Sequence, residues 1–164
     1  MSGGFQWGHI NVNVSDLERS IAFYELLGFE VFMPAIPYFG LERSEARPLA
    51  DAHADVLGVP RGTTGRACIV QLDDGFPKLD LTELDCPASA PPLGTRDRGV
   101  VRICLACADL AAEVARLESA GVEFLTPPAS GTADLVEVAL CRDPDGTLIE
   151  LLQIYMDRWA ALGA

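Results

Sequence analysis

Residues 9–14 read His-Ile-Asn-Val-Asn-Val. Alternation of period two puts Ile10, Val12 and Val14 on one face of a strand and His9, Asn11 and Asn13 on the other. An imidazole exchanges protons near neutral pH, and amides hold carbonyl or hydroxyl groups. This polar face is therefore a candidate site as well as a candidate solvent face. The chain has 2 histidines. The second, His53, falls in a stretch that patterns as a helix and is expected at the surface. The 5 cysteines are Cys68, Cys86, Cys104, Cys107 and Cys141. Cys104 and Cys107 form a CxxC, but on a strand that spacing sends them to opposite faces. Buried, reduced structural thiols are expected, as in a cytoplasmic protein. Tyr38, Phe39, Phe76 and Trp7 are aromatic candidates for the wall of a pocket that takes a planar or apolar ligand, with core packing as the other role. Arg61, Arg66, Arg96 and Arg98 are read as solvated charges.

The bulk properties narrow the partners. At 164 residues the chain is about one domain long. The net charge is −12, spread along the sequence rather than blocked. That disfavours nucleic acid and anionic membrane, both of which need a concentrated basic surface. No apolar run approaches the ~18 residues of a membrane span. The opening MSGGFQWGHI lacks a basic segment followed by an apolar one, so no signal peptide is expected.

A repeat supplies the elements that position these residues. Displaced by 93 residues, segment 9–34 aligns with 102–127 without gaps. Ile10/Ile103, Asp16/Asp109, Leu17/Leu110, Ala22/Ala115, Glu25/Glu118, Gly28/Gly121, Glu30/Glu123 and Pro34/Pro127 are identical pairs. His9 falls on Arg102. In each copy a strand runs into an aspartate suited to a helix N-cap. An amphipathic helix follows, with Leu17, Ile21, Tyr24 and Leu27 in one copy and Leu110, Val114 and Leu117 in the other. A C′ glycine, Gly28 or Gly121, then precedes a second strand. Further strands are expected at 66–72 and 78–84 around Asp73-Asp74-Gly75. Another pair is expected at 135–143 and 147–155 around Asp-Pro-Asp-Gly. Overlaying the two last strands matches Leu79 with Ile149 and Leu81 with Leu151, and sets Asp80 on Glu150. The predicted organisation is one domain of two βαβββ modules. Module one is 8–86 with an insertion at 35–65 that holds an extra helix ending near Gly58. A Pro-rich linker spans 85–98, module two spans 99–157, and a short C-terminal helix spans 155–163.

This arrangement resembles the vicinal oxygen chelate superfamily of glyoxalases, bleomycin-resistance proteins and extradiol dioxygenases. The resemblance rests on the opening GHINVNVSDLERSIAFYELLGFEV and the close DPDGTLIELLQ, and it extends over about residues 8–157. It implies an α+β fold in which two mixed sheets curl into a cup, with helices outside and the ligand within. It also implies a divalent metal (Mg, Mn, Fe, Co, Ni or Zn) held from the first and last strand of each module. Carried over, those positions are His9, Asp80, Arg102 and Glu150. Arg102 departs from the pattern, because a guanidinium has no lone pair to give. At most His9, Asp80 and Glu150 remain as metal ligands.

The function this implies is an enzyme acting on a small oxygenated organic molecule by proton transfer next to a carbonyl, as in isomerases, epimerases and lyases. Glu150 or His9 would be the base. Arg102, or a metal, would stabilise the enolate. Asn11, Asn13, Thr82, Tyr38, Phe39 and Arg102 are the expected substrate contacts, and a second copy of the chain is the expected partner. The alternative is a non-catalytic antibiotic-binding protein of the bleomycin-resistance kind. A specialised secondary-metabolite enzyme is a third.

Overall fold

The period-two pattern at the start of the chain becomes strand β1 (His9–Val14) in the computed structural model, which describes Gly4 and residues 7–161. The chain divides into two units, Met1–Ala90 and Pro91–Ala164. Unit one continues with α1 (Leu17–Leu26), β2 (Phe29–Met33), β3 (Ala35–Ile36), β4 (Leu41–Glu42), β5 (Arg47–Pro48), α2 (Asp51–Leu57), β6 (Thr64–Leu72) and β7 (Lys78–Leu84). Its main sheet has the order β1-β7-β6-β2, with β5 on β6. β1 and β7 are parallel, while β6 is antiparallel to β7 and β2. Unit two holds β8 (Arg102–Ala106), α3 (Leu110–Ser119), β9 (Phe124–Ser130), β10 (Val136–Arg142), β11 (Leu148–Ile154) and α4 (Met156–Ala161). Its sheet order, β8-β11-β10-β9, is that of unit one, again with a parallel first pair. The fold is α+β, built from two βαβββ modules. The expected C-terminal helix is α4, and positions 162 and 163 lie outside the described residues. Among the described residues no helix is long and apolar enough to cross a membrane.

The helix starts follow from sequence. Asp16 accepts the Arg19 N–H at 3.0 Å, and Asp109 accepts the Ala112 N–H at 2.9 Å. Each carboxylate satisfies a backbone donor that the helix cannot pair internally. Both helices leave through a glycine of positive φ, 93° at Gly28 and 89° at Gly121. That region disfavours a side chain. In unit one Leu17, Ile21 and Tyr24 are buried with Val12, Val14, Val70, Leu79 and Leu81. Tyr24 packs edge-on against Phe23 and Phe29, both at 5.5 Å. In unit two Leu110, Val114 and Leu117 are buried with Ala139, Ile149 and Leu151. Burial of a Leu- or Ile-sized side chain contributes about 1.5–3 kcal/mol, so these stripes dock each helix on its sheet.

The insertion is more elaborate than a lone helix. β3 and β4 pair with each other, β5 extends the main sheet, and α2 ends on Gly58 as expected. Ile36, Leu41, Leu49, Ala54 and Ala67 form its core, with Phe39 packed against them. These pieces escape a periodicity reading because two-residue strands carry no period. His53 is not a surface residue. It is half-buried on α2, packs edge-on against Phe39 at 5.3 Å, and has a buried Nδ1 without a partner.

Candidate functional site

Strand parity and register assemble the unit-one face. His9 pairs with Lys78, Asn11 with Asp80 and Asn13 with Thr82. All six side chains therefore share the side of the sheet opposite α1. Asp80 is 1% exposed. Its Oδ1 accepts the Thr82 hydroxyl at 2.7 Å, and the Thr82 oxygen accepts from Asn11 Nδ2 at 3.0 Å. Its Oδ2 lies 3.4 Å from His9 Nε2. Burial pushes the Asp80 carboxyl up, while Thr82, His9 and Asn11 oppose that shift. Tyr38 stacks on His9 with ring centres 6.3 Å apart and planes at 19°, and its hydroxyl lies 3.4 Å from His9 Nε2. Burial, and then the nearby Asp80 charge, push the phenol up, so it stays a neutral donor. His9 Nε2 thus faces a carboxylate and a phenol, with the imidazole partly open to solvent.

The remaining expected contacts divide. Asn11 and Thr82 are committed to the network behind Asp80, so they orient that carboxylate. Asn13 is exposed on the same face. Phe39 is half-buried, packed on the core of the insertion and against the Tyr38 ring at 4.8 Å. Trp7 and Phe76 are exposed. Two positions that sequence reasoning passed over also lie on this face, Lys78 and Gln71. Gln71 accepts from Lys78 Nζ at 2.5 Å and donates to Glu30 at 2.8 Å. The signal for Lys78 was parity, because it shares a face with Asp80 and Thr82.

Unit two carries the other pair. Arg102 forms an ion pair with Glu150, and Cys104 donates its thiol to Glu150 Oε1 at 3.4 Å. Cys104 is exposed and Cys107 half-buried, so the expectation of buried thiols holds only at Cys68 and Cys141. Burial first, and then Glu150, push the Cys104 thiol up to about 11, which keeps it protonated and unreactive at neutral pH. Arg66 is also not a free surface charge. It is half-buried and pairs with Glu83 at 2.6 Å.

A divalent ion requires converging lone pairs. Arg102 supplies none, and it already compensates the Glu150 charge. His9 and Asp80 bring two donors, one of them a carboxylate bound to Thr82. Among the described residues neither unit brings three or more His, Cys, Asp and Glu side chains together. Neither unit by itself supplies the donor set of a resident divalent metal.

Known proteins resemble this chain over most of its length. The family model described as the Glyoxalase/Bleomycin resistance protein/Dioxygenase superfamily matches residues 6–151. A lactoylglutathione lyase of Pseudomonas aeruginosa is 28% identical over 159 residues, 91% of this chain and 82% of that protein. A glyoxalase family protein from Bacillus cereus superposes with a TM-score of 0.71 at 17% identity, covering 94% of this chain and 98% of its own. Another from Enterococcus faecalis gives 0.60 at 18% identity, covering 90% and 96%. At such identities these structures speak for the fold alone.

Proposed function

The chain belongs to the Glyoxalase/Bleomycin resistance protein/Dioxygenase superfamily, and on that premise we propose that it is a metal-independent enzyme moving a proton next to a carbonyl. The observation that carries this is the His9–Asp80 pair, with Asp80 buried and the imidazole open beside it. His9 takes the proton from carbon as general base. Asp80 orients the ring and compensates the imidazolium that forms. The Tyr38 hydroxyl, held neutral, donates to the developing enolate oxygen. Of the two candidate bases, Glu150 is the less available, because Arg102 and Cys104 occupy its oxygens. The substrate is a small oxygenated molecule with a C–H next to its carbonyl, and the setting is cytoplasmic, with a homodimer as the assembly.

The named relative suggests a probe. S-lactoylglutathione has such a C–H beside its thioester, and solvent deuterium entering that carbon is visible by NMR. With EDTA-treated protein the exchange is expected to persist. It should fall about 100-fold or more in His9→Gln and only a few-fold in Glu150→Gln. Loss of exchange on chelation, or an undiminished rate in His9→Gln, refutes the proposal. A second reading is sequestration of a planar drug without chemistry, favoured by the exposed Tyr38 ring stacked on His9. It predicts ligand binding with no exchange at all.

A further inference from the structure

Lys78 is the sole lysine of the chain, and the fold places it on the face that carries His9 and Asp80. It opens β7 in register with His9 and lies two residues from Asp80. The separation from Asp80 along the strand is about 7 Å. Its ammonium is held rather than free to wander. Lys78 Nζ donates to Gln71 Oε1 at 2.5 Å and sits 4.1 Å from the centre of the Phe32 ring. Gln71 is largely buried, and its amide NH₂ is fixed by Glu30 at 2.8 Å, which turns its oxygen toward the lysine. Among the described residues no carboxylate forms an ion pair with Lys78, whereas Arg43, Arg47, Arg61, Arg66, Arg102 and Arg116 each have one. An ammonium has three donors. Gln71 takes one, and the aromatic face stabilises the cation without neutralising it. A directed cation without an ion-pair partner among the described residues therefore stands on the same face as the proposed base, in a chain of net charge −12.

We infer that Lys78 is the anion-recognising group of this face, and that the substrate is a small oxo acid whose carboxylate binds its ammonium. This rests on the proton-transfer reading above and narrows its substrate class. Because Lys78 leans over β6 and β2, its ammonium lies about two strand spacings, ~10 Å, from β1. The carboxylate is therefore a few bonds removed from the carbon that meets His9.

A single lysine makes the test direct. Reductive methylation with ¹³C-formaldehyde labels Lys78 while preserving its charge, and the signal is assigned by its absence in Lys78→Gln. The protein is titrated with pyruvate, acetoacetate and levulinate, and with their methyl esters. At least one acid is expected to shift the signal saturably, and its ester is not. By calorimetry on unmodified protein, Lys78→Gln should weaken that acid roughly ten-fold. Lys78→Arg should retain most of the affinity. The inference is overturned if no acid moves the signal, if acid and ester behave alike, or if Lys78→Gln leaves the acid's affinity unchanged. Deuterium exchange on the bound acid separates the two readings. Binding through Lys78 without exchange removes the catalytic reading alone. Exchange with an unchanged KM in Lys78→Gln removes this one alone.

Discussion

The first and last strands of the two units pair in the same register, yet the faces they present differ in kind. Ile10 pairs with Leu79 as Ile103 pairs with Ile149, and Val12 with Leu81 as Leu105 with Leu151. At these positions, on the side toward the helix, both copies are apolar. On the other side unit one carries His9, Asn11, Lys78, Asp80 and Thr82. Unit two carries one ion pair and a thiol beside half-buried Val138, Leu140 and Leu152. Packing against a helix constrains one side of each sheet, because a polar group buried there without a partner costs roughly 1–3 kcal/mol. On the side away from the helix buried polar groups are instead partnered by one another, as Asp80 is by Thr82, and there the copies have diverged.

The shared side should respond symmetrically, and strongly. Leu17 and Leu110 are both fully buried at the first helical position. Leu17→Ala and Leu110→Ala should each cost about 2–5 kcal/mol in denaturant unfolding. A loss in one unit several-fold larger than in the other would break the structural equivalence.

The helix starts give a smaller and unequal effect. The Leu17 N–H donates to Glu83 Oε2 at 2.7 Å, and the Leu110 N–H donates to Gln153 Oε1 at 2.8 Å. Glu83 also receives Arg66 at 2.6 Å, a contact without a counterpart at Gln153 among the described residues. Glu83→Ala should therefore cost more than Gln153→Ala, about 1–3 kcal/mol against about 1, read from unfolding midpoints. Equal losses would mean that Arg66 finds water without penalty.

Asp80 makes the difference between the faces depend on pH. Burial raises its carboxyl above the ordinary range. Between its unfolded and folded values the native state binds more protons, so its contribution to stability falls as pH rises. Above the folded value the full cost is present. Asp80→Asn has no such proton, so its stability relative to the parent should climb from acid pH and then level off. A difference independent of pH would show that Asp80 is not desolvated.

What was legible in the sequence followed the same division. The gapless alignment of 9–34 on 102–127 located the caps, the buried stripes and the terminal glycines, because these positions obey local rules. The overlay of Asp80 on Glu150 agrees with the observed registers, Asn11 with Asp80 and Cys104 with Glu150. The fates of single polar groups were not legible. That Asn11 spends its amide on Thr82, that Arg66 pairs with Glu83, and that Cys104 is exposed but tied to Glu150 all depend on neighbours from distant strands. Lys78 was legible by parity but lacked a reason until Gln71 and Phe32 came beside it.

The smallest expected effect concerns a contact that the insertion adds to unit one alone. Arg43 grips Glu18 on α1 through bonds of 3.0 and 2.7 Å, and the aligned position in unit two is Ala111. The Arg43 hydrogen bond lowers the Glu18 carboxyl, against some desolvation. A lowered carboxylate stabilises fully above its unfolded value, and that contribution fades as pH falls toward the folded one. Both side chains are a third or more exposed, 35% and 49%, so solvent screens the pair. Its worth is about 0.2–1 kcal/mol. Arg43→Ala should therefore lower the unfolding free energy by no more than that at neutral pH and low salt. The loss should shrink in 1 M salt, where the Debye length is about 3 Å, and also at acid pH. A larger loss that ignores both salt and pH would mean that Arg43 acts through packing of the insertion, and the asymmetry between the units would then extend into the core.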